Sequence, residues 1–412
     1  MILRSATLSD GRRVDVRLLG GEIAEVAPLL ELEGDESLDL DGYVLLPGLV
    51  EPHLHLDTVF TAESGEPLSG GLDVAVERWL VQRTRIDSAD VYARGERAVR
   101  LAVRRGVTVL RGHVDVGEGI ELRALDALLA LRENWRELVH IELVAMADTV
   151  LTGTAGAAAR GWLETALEAG VDVVGGAPWL DPDPTRCVEL LLDIAAASGR
   201  PLDLHVDETL DPTSPALVEL ARAVVARNFD LPVTAGHCSS LGVVPEDKQR
   251  ERAVAVATAG VSVVTLPATN LYLLGRDIPV ARPRGLTALG PLLAAGVTVA
   301  AGSDNVRDAF NPVGAPDPLR TAGLLVLAGQ ISPSAALRAV TVDARKALRR
   351  PAVEIAPGCA ADLVAVVAGS LEEALAEAGE ERIVFRNGRV VSDTRVSASI
   401  APNIEPLRST RT

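Results

Sequence analysis

Val50-Glu51-Pro52-His53-Leu54-His55-Leu56-Asp57 begins just past the turn-forming pair Pro47-Gly48. Residues 49–56 form an apolar, strand-like run. Along an extended strand, side chains two apart share a face. His53 and His55 therefore aim at one point, and two converging imidazoles begin a transition-metal site. The same stretch separates two fold classes. An open, doubly wound sheet wants a glycine-rich dinucleotide turn after its first strand. Here that place holds His-Leu-His.

Seven further apolar runs follow, at 107–116, 141–147, 171–178, 202–206, 233–237, 261–266 and 297–303. Near-continuous apolar runs are the mark of buried parallel strands. Helical patterns separate them, at 75–105, 122–138, 162–167, 187–197, 215–226, 250–259 and 287–294. Gly106, Gly170, Gly199, Gly260 and Gly296 stand where helix C-caps belong. Eight strand–helix units predict a (β/α)8 TIM barrel. Short strands broken by Asp10-Gly11, Gly20-Gly21 and Asp41-Gly42 precede it, and the hairpin signal Asn387-Gly388 lies near the other end. Residues 1–48 and 355–400 are thus expected to build a small composite β-sandwich from both termini, beside a barrel at 49–354.

The chain has 412 residues, 48% of them hydrophobic, enough for a large core. Its formal charge is −17, from 40 Lys and Arg against 57 Asp and Glu. No basic stripe interrupts this acidity, which argues against a nucleic-acid partner. Cys187, Cys238 and Cys359 are scattered and odd in number, so no disulfide framework is expected. There is no signal-peptide pattern at Met1 and no run apolar enough to span a bilayer. The expectation is a cytoplasmic protein with no membrane partner. The oligomeric state stays open, a homo-oligomer included.

Active sites of such barrels lie at the C-terminal ends of the strands. Those ends carry His53, His55, Asp57, His113, Asp115, Asp148, Trp179, His205, Asp207, Glu208, His237, Asn270, Asp304 and Asn305. Five of the six histidines are among them; only His140 is not. Such clustering is what a functional site requires and what scattered core histidines would not give. His53, His55, His205 and Asp304 make an N3O set for one divalent metal with a position left for water. Such a metal lowers the pKa of its water to about 7. Glu208, three residues past His205, is placed to protonate a ring nitrogen or leaving group. His237 either stabilises developing charge or helps to deprotonate water. Asp57 and Asp207 are candidates to orient ligand imidazoles. Strand alternation turns Cys238 away from the site. Loops 66–71 and 276–284 border the mouth, and length alone does not say whether they close over it.

At these residues the chain resembles the amidohydrolase superfamily, and within it the cytosine deaminase-like group. The resemblance is carried by the segment from Val50 to Thr58, Glu77-Arg78-Trp79, Gly112-His113-Val114-Asp115-Val116 and Asp172-Val173-Val174-Gly175. It continues through Asp203-Leu204-His205-Val206-Asp207-Glu208, Val233-Thr234-Ala235-Gly236-His237, Gly302-Ser303-Asp304 and Ala361-Asp362-Leu363-Val364. It implies a mononuclear site for zinc or iron, with His53, His55, His205 and Asp304 at the ligand positions. Glu208 matches the proton donor, and His237 with Asp304 the water-activating pair. Binuclear members often use a carbamylated lysine after strand 4. The two lysines here, Lys248 and Lys346, lie elsewhere.

Two positions depart from the pattern. Asp148 stands where the group carries a glutamine that pairs with the pyrimidine edge, and Asn305 where it carries a second aspartate. A carboxylate only accepts hydrogen bonds, so Asp148 suits a ring edge with two N–H donors. Leu72, Met146 and Phe310 match apolar pocket positions, and Trp179 stands at the barrel mouth. The expected activity is hydrolysis of a carbon–nitrogen bond outside peptides. The chain would deaminate a cytosine-like aminated heterocycle by metal-hydroxide attack, releasing ammonia. The alternative substrates are a pterin, isocytosine, a creatinine-like ring or an N-alkylamino triazine.

Overall fold

The structure, a computed structural model, describes residues 1–397 except 33, 65–69, 148 and 149. Five strands come first: β1 (Ile2–Leu8), β2 (Arg13–Leu19), β3 (Glu22–Ala27), β4 (Ser37–Asp39) and β5 (Tyr43–Pro47). The next eight are β6 (Leu49–His55), β7 (Val107–Asp115), β8 (His140–Met146), β9 (Val173–Gly176), β10 (Leu202–Val206), β11 (Val233–His237), β12 (Ser262–Thr265) and β13 (Val299–Ala301). They pair in chain order, parallel throughout. Backbone bonds just past β13 close the ring. Asp304 N donates to His53 O at 2.9 Å, and His55 N donates to Asp304 O at 3.1 Å. The result is a (β/α)8 barrel whose closing seam is made by three of the proposed metal ligands.

The last strands are β14 (Leu363–Val367), β15 (Arg382–Arg386) and β16 (Arg389–Thr394). They join the first five in one mixed sheet, ordered β16-β15-β14-β5-β1-β2-β3 with β4 on β1. Strand alternation gives this sheet two faces. Leu45, Leu363, Ala365 and Phe385 enter a core of its own with Leu3, Val16 and Ile23. Val44, Leu46, Val364, Val366 and Val384 face the other way and join the barrel's large core.

The helix expected over 75–105 is two helices, Leu72–Gln82 and Ser88–Arg104, with a 3-10 turn at Arg83–Arg85 between them. Ile86 is extended, and Asp87 caps the second helix by accepting from Asp90 N at 2.8 Å. The helix expected from 287 begins at Leu289. Helices Pro318–Leu327 and Pro333–Ala339 follow β13, where none was expected. Each starts with a capping Asp317 or Ser332 followed by proline, a residue that suits a helix's first turn although it would break the interior. Among the described residues, no helix is long and apolar enough to cross a membrane.

Candidate active site

The eight strands aim their C-terminal ends at one mouth, and five histidines gather there. Nε2 of His55 lies 3.0 Å from Nε2 of His205. Oδ1 of Asp304 lies 3.4 Å from Nε2 of His55 and 3.6 Å from Nε2 of His53. One ligand atom from each of His53, His55, His205 and Asp304 falls within 4.8 Å of the others. Burial pushes all three imidazoles well below their ordinary pKa, and crowding by neighbouring imidazoles adds to it, so they are neutral. Neutral imidazole is the form that binds metal. Nε2 of His53 and both oxygens of Asp304 are buried without a hydrogen-bond partner. Buried polar atoms without partners are costly, and a cation at their focus would satisfy them. The donor set fits a divalent metal.

Local backbone explains the aim. Asp304, His237, Cys238 and Asp207 have positive φ, from 49° to 64°. Non-glycine residues in the left-handed region carry strain, of order 1–3 kcal/mol each, and cluster at functional sites. These turns break the strand alternation, so Cys238 does not lie away from the site for the reason read from sequence. It is nonetheless buried against the carbonyls of Ala235 and Gly236. Two glycines make room for His53. A Cβ on Gly302 would come within 2.9 Å of its carbonyl oxygen, and one on Gly236 within 3.3 Å of its ring.

Glu208 and His237 meet beside this cluster. Nδ1 of His237 is 3.3 Å from Oε1 of Glu208 and 3.0 Å from Nδ2 of Asn270. Asn270 also reaches Glu208 at 3.4 Å, so its amide ties the two together. Burial, and then the charge of Asp304, raises the Glu208 carboxyl well above its ordinary pKa. Burial lowers His237 to about 3, with His113 adding to the shift. A protonated carboxylic acid and a neutral imidazole thus sit side by side.

A cavity of about 140 Å³ opens over these groups. Leu72, Met146, Trp179, Asn305 and Phe310 all line it together with His55, His205, Glu208 and Asp304. Asn305 is held by its own neighbours: its amide donates to Asp308 at 2.9 Å and accepts from Thr269 at 3.4 Å. Asp148 lies outside the described residues, as does most of the 66–71 loop. Arg276 and Asp277, from the other mouth loop, line an outer vestibule that shares Leu72, Trp179 and Glu208 with the inner cavity.

The supporting residues differ from those expected. Asp207 orients no imidazole. It accepts from Ser214 Oγ at 2.6 Å and from the amides of Ala216 and Leu217 at 3.1 Å, fixing the start of the helix Ala216–Ala226. An Asp207→Ala variant is expected to cost roughly 1–3 kcal/mol for each buried donor left unpaired. Urea unfolding reads that loss, and the metal content of the folded enzyme should not change. Asp57 accepts from the Asp115 amide instead of a histidine. Beneath the proposed ligands lies a polar layer absent from the sequence reading. His113 stacks on His53, ring centroids 3.8 Å apart, with its Nε2 3.5 Å from Asp203. Asp203 in turn binds Arg111 at 2.8 Å. The signal was available: Glu51, Arg111 and Asp203 each precede a strand histidine by two residues and share its face.

The amidohydrolase family profile matches residues 74–391. The chain is 31% identical to the pterin deaminase of Rhizobium rhizogenes over 92% of its length and 88% of that protein's. Its fold superposes on 5-methylcytosine deaminase from Klebsiella pneumoniae, crystallised with 5-fluorocytosine, with a TM-score of 0.87 at 27% identity. That match covers 98% of this chain and 100% of the other. It also superposes on N-isopropylammelide isopropylaminohydrolase from Burkholderia multivorans, with a TM-score of 0.83 at 30% identity, over 95% and 98% of the two chains. The chain belongs to the amidohydrolase family and is a hydrolase of carbon–nitrogen bonds other than peptide bonds.

Proposed function

We propose that this chain is a metal-dependent deaminase that replaces the exocyclic amine of a nitrogen heterocycle with oxygen and releases ammonia. One observation carries the reading. The cluster of His53, His55, His205 and Asp304 opens, through His55, His205 and Asp304, into the same small cavity as the protonated Glu208. A divalent metal held by that cluster would supply Lewis acidity and a water of near-neutral pKa.

The remaining steps belong to side chains. Asp304 has one oxygen among the ligand atoms, which leaves the second to accept the water proton. Addition of the water oxygen turns the attacked carbon tetrahedral, and the C=N electron pair moves to the ring nitrogen, which takes the proton carried by Glu208. His237, neutral and anchored through Nδ1, leaves Nε2 buried and without a partner, available to developing charge at the same centre. On collapse the amine takes the proton held by Asp304 and leaves as ammonia, the remaining hydroxyl proton returns to Glu208, and water's oxygen stays on the ring as the oxo group. Leu72, Met146 and Phe310 offer apolar surface to the faces of a flat ring, and Trp179 closes the mouth side.

Among such rings, those with an amidine or guanidine-like face are favoured. Asp148 brings only acceptors where a glutamine would bring both kinds of group, and the pterin deaminase relative supports the same choice. Removal of metal by a chelator is expected to abolish ammonia release, and zinc or ferrous iron to restore it. The panel is pterin, isocytosine, cytosine, 5-methylcytosine, creatinine and aminotriazines. A second reading, removal of an N-alkylamine from a triazine, is supported by the isopropylaminohydrolase relative. Release of isopropylamine in place of ammonia would select it.

A further inference from the structure

One imidazole among the five has no part in the mechanism above. His113, on β7, is fully buried beneath the proposed ligands. Its ring lies face to face with that of His53, centroids 3.8 Å and planes 29° apart. The rings of His55 and His205 are further off, at 5.2 and 5.3 Å. The backbone sets up the stack. Three steps along β6, from Glu51 to Leu54, run against two along β7, from Leu110 to Gly112. Pro52, inside that bulge, has no amide to give the ladder, and a bulge re-aims the side chains beside it. A metal-binding imidazole ordinarily donates its other ring N–H to a carboxylate, a carbonyl or water, and that bond sets the ring's orientation. Among the described residues no group does this for His53, whose Nδ1 is buried without a hydrogen-bond partner. Packing surfaces touch the ring instead. Gly236 leaves just room for one edge, since a Cβ there would come within 3.3 Å of Cε1. His113 covers one face and is itself fixed from behind. Its Nε2 lies 3.5 Å from Oδ1 of Asp203, whose other oxygen is bound to Arg111 at 2.8 Å.

We infer that His113 is a positioning residue for His53: the face of its ring, in place of a hydrogen bond, holds the imidazole plane that carries Nε2 to the metal focus. This rests on the metal reading of the His53, His55, His205 and Asp304 cluster and adds to it the residue that sets the cluster's affinity. One ligand atom from each of His53, His113 and Asp203 also falls within 4.8 Å of the others. His113 is nonetheless a support and not a ligand. Two imidazoles lying face to face keep their lone pairs in nearly parallel planes, which converge poorly on one ion, and Asp203 is already engaged by Arg111.

The test is the zinc affinity of the full chain, measured after chelation by competition with a chromophoric chelator. His113→Phe keeps the ring face and loses the contact with Asp203. His113→Asn loses the face and keeps a donor for Asp203. His113→Asn should bind zinc roughly 10- to 100-fold more weakly than wild type. His113→Phe should retain most of the affinity even though its urea midpoint falls. The visible spectrum of the cobalt-loaded chains reports ligand geometry and should sort them the same way, with His113→Phe like wild type and His113→Asn altered. His113→Tyr and His113→Leu stand in for either variant if it does not fold. Equal affinity in all the chains would overturn the inference. So would a loss in His113→Phe as large as in His113→Asn, which would make His113 a ligand or its Asp203 contact the working part, and so would affinities that follow the urea midpoints instead of the ring. Zinc binding by the wild type at one ion per chain reports the metal reading by itself, so the variants can overturn the inference while that reading stands.

Discussion

Glu208→Gln should keep its metal and lose most of its turnover. The side chain has nearly the same volume, so the cavity and the contacts of Asn270 and His237 remain filled. What disappears is the proton. Burial and the neighbouring Asp304 hold the Glu208 carboxyl protonated well above its ordinary range, and an amide cannot deliver that proton to a ring nitrogen. Loss of a positioned general acid lowers the rate by about 10²–10⁴-fold. Steady-state kinetics on the best ring of the panel, beside metal analysis of the same sample, reads both halves. A variant with unchanged turnover would remove Glu208 from the mechanism. A variant without metal would make its role structural.

Arg111→Met should be among the most destabilising single changes in the chain. Arg111 sits inside the barrel, with Nη1 2.8 Å from Asp203 and Nη2 2.8 Å from Glu142. Burial pushes both carboxyls up, but hydrogen bonds from His113 and His140 and the Arg111 guanidinium outweigh it and hold each at about 2. Removing one partner of a buried ionic network costs about 3–5 kcal/mol, because the opposite charge is left unpaired. The sign with pH follows. These carboxyls titrate lower in the folded than in the unfolded chain. The stability they supply is present in full above the unfolded values of 4.5 and 3.8 and is lost as pH falls towards 2. Urea midpoints at neutral and acidic pH should therefore converge for wild type and Arg111→Met as acidity rises. A gap that stays constant down to the lowest pH would assign the loss to packing alone.

The barrel and the gathering of histidines and carboxylates at its mouth were legible because both rest on the order of the apolar runs. Apolar runs mark buried parallel strands, and a histidine at the end of such a run points into the mouth or away from it. His53, His55, His205, Glu208, His237 and Asp304 were placed at strand ends that way, and the structure brings them together. What stayed hidden depends on tertiary context. The break at Arg83–Arg85 sits inside a helical pattern, and only the Asp87 cap announces it. Asp207 looked like a ligand's support, but its left-handed backbone turns the carboxylate onto a helix start instead. Arg111 and Asp203 stand on different strands far apart in sequence, and only the closed barrel brings them within 2.8 Å.

Ammonia release and metal content, measured on one preparation before and after exhaustive chelation, bear most directly on the central reading. One divalent metal per chain is expected, together with ammonia from an aminated heterocycle that stops when the metal is stripped and returns when it is restored. Undiminished ammonia release from fully metal-free enzyme would contradict that reading, since His53, His55, His205 and Asp304 would then be holding nothing the reaction needs.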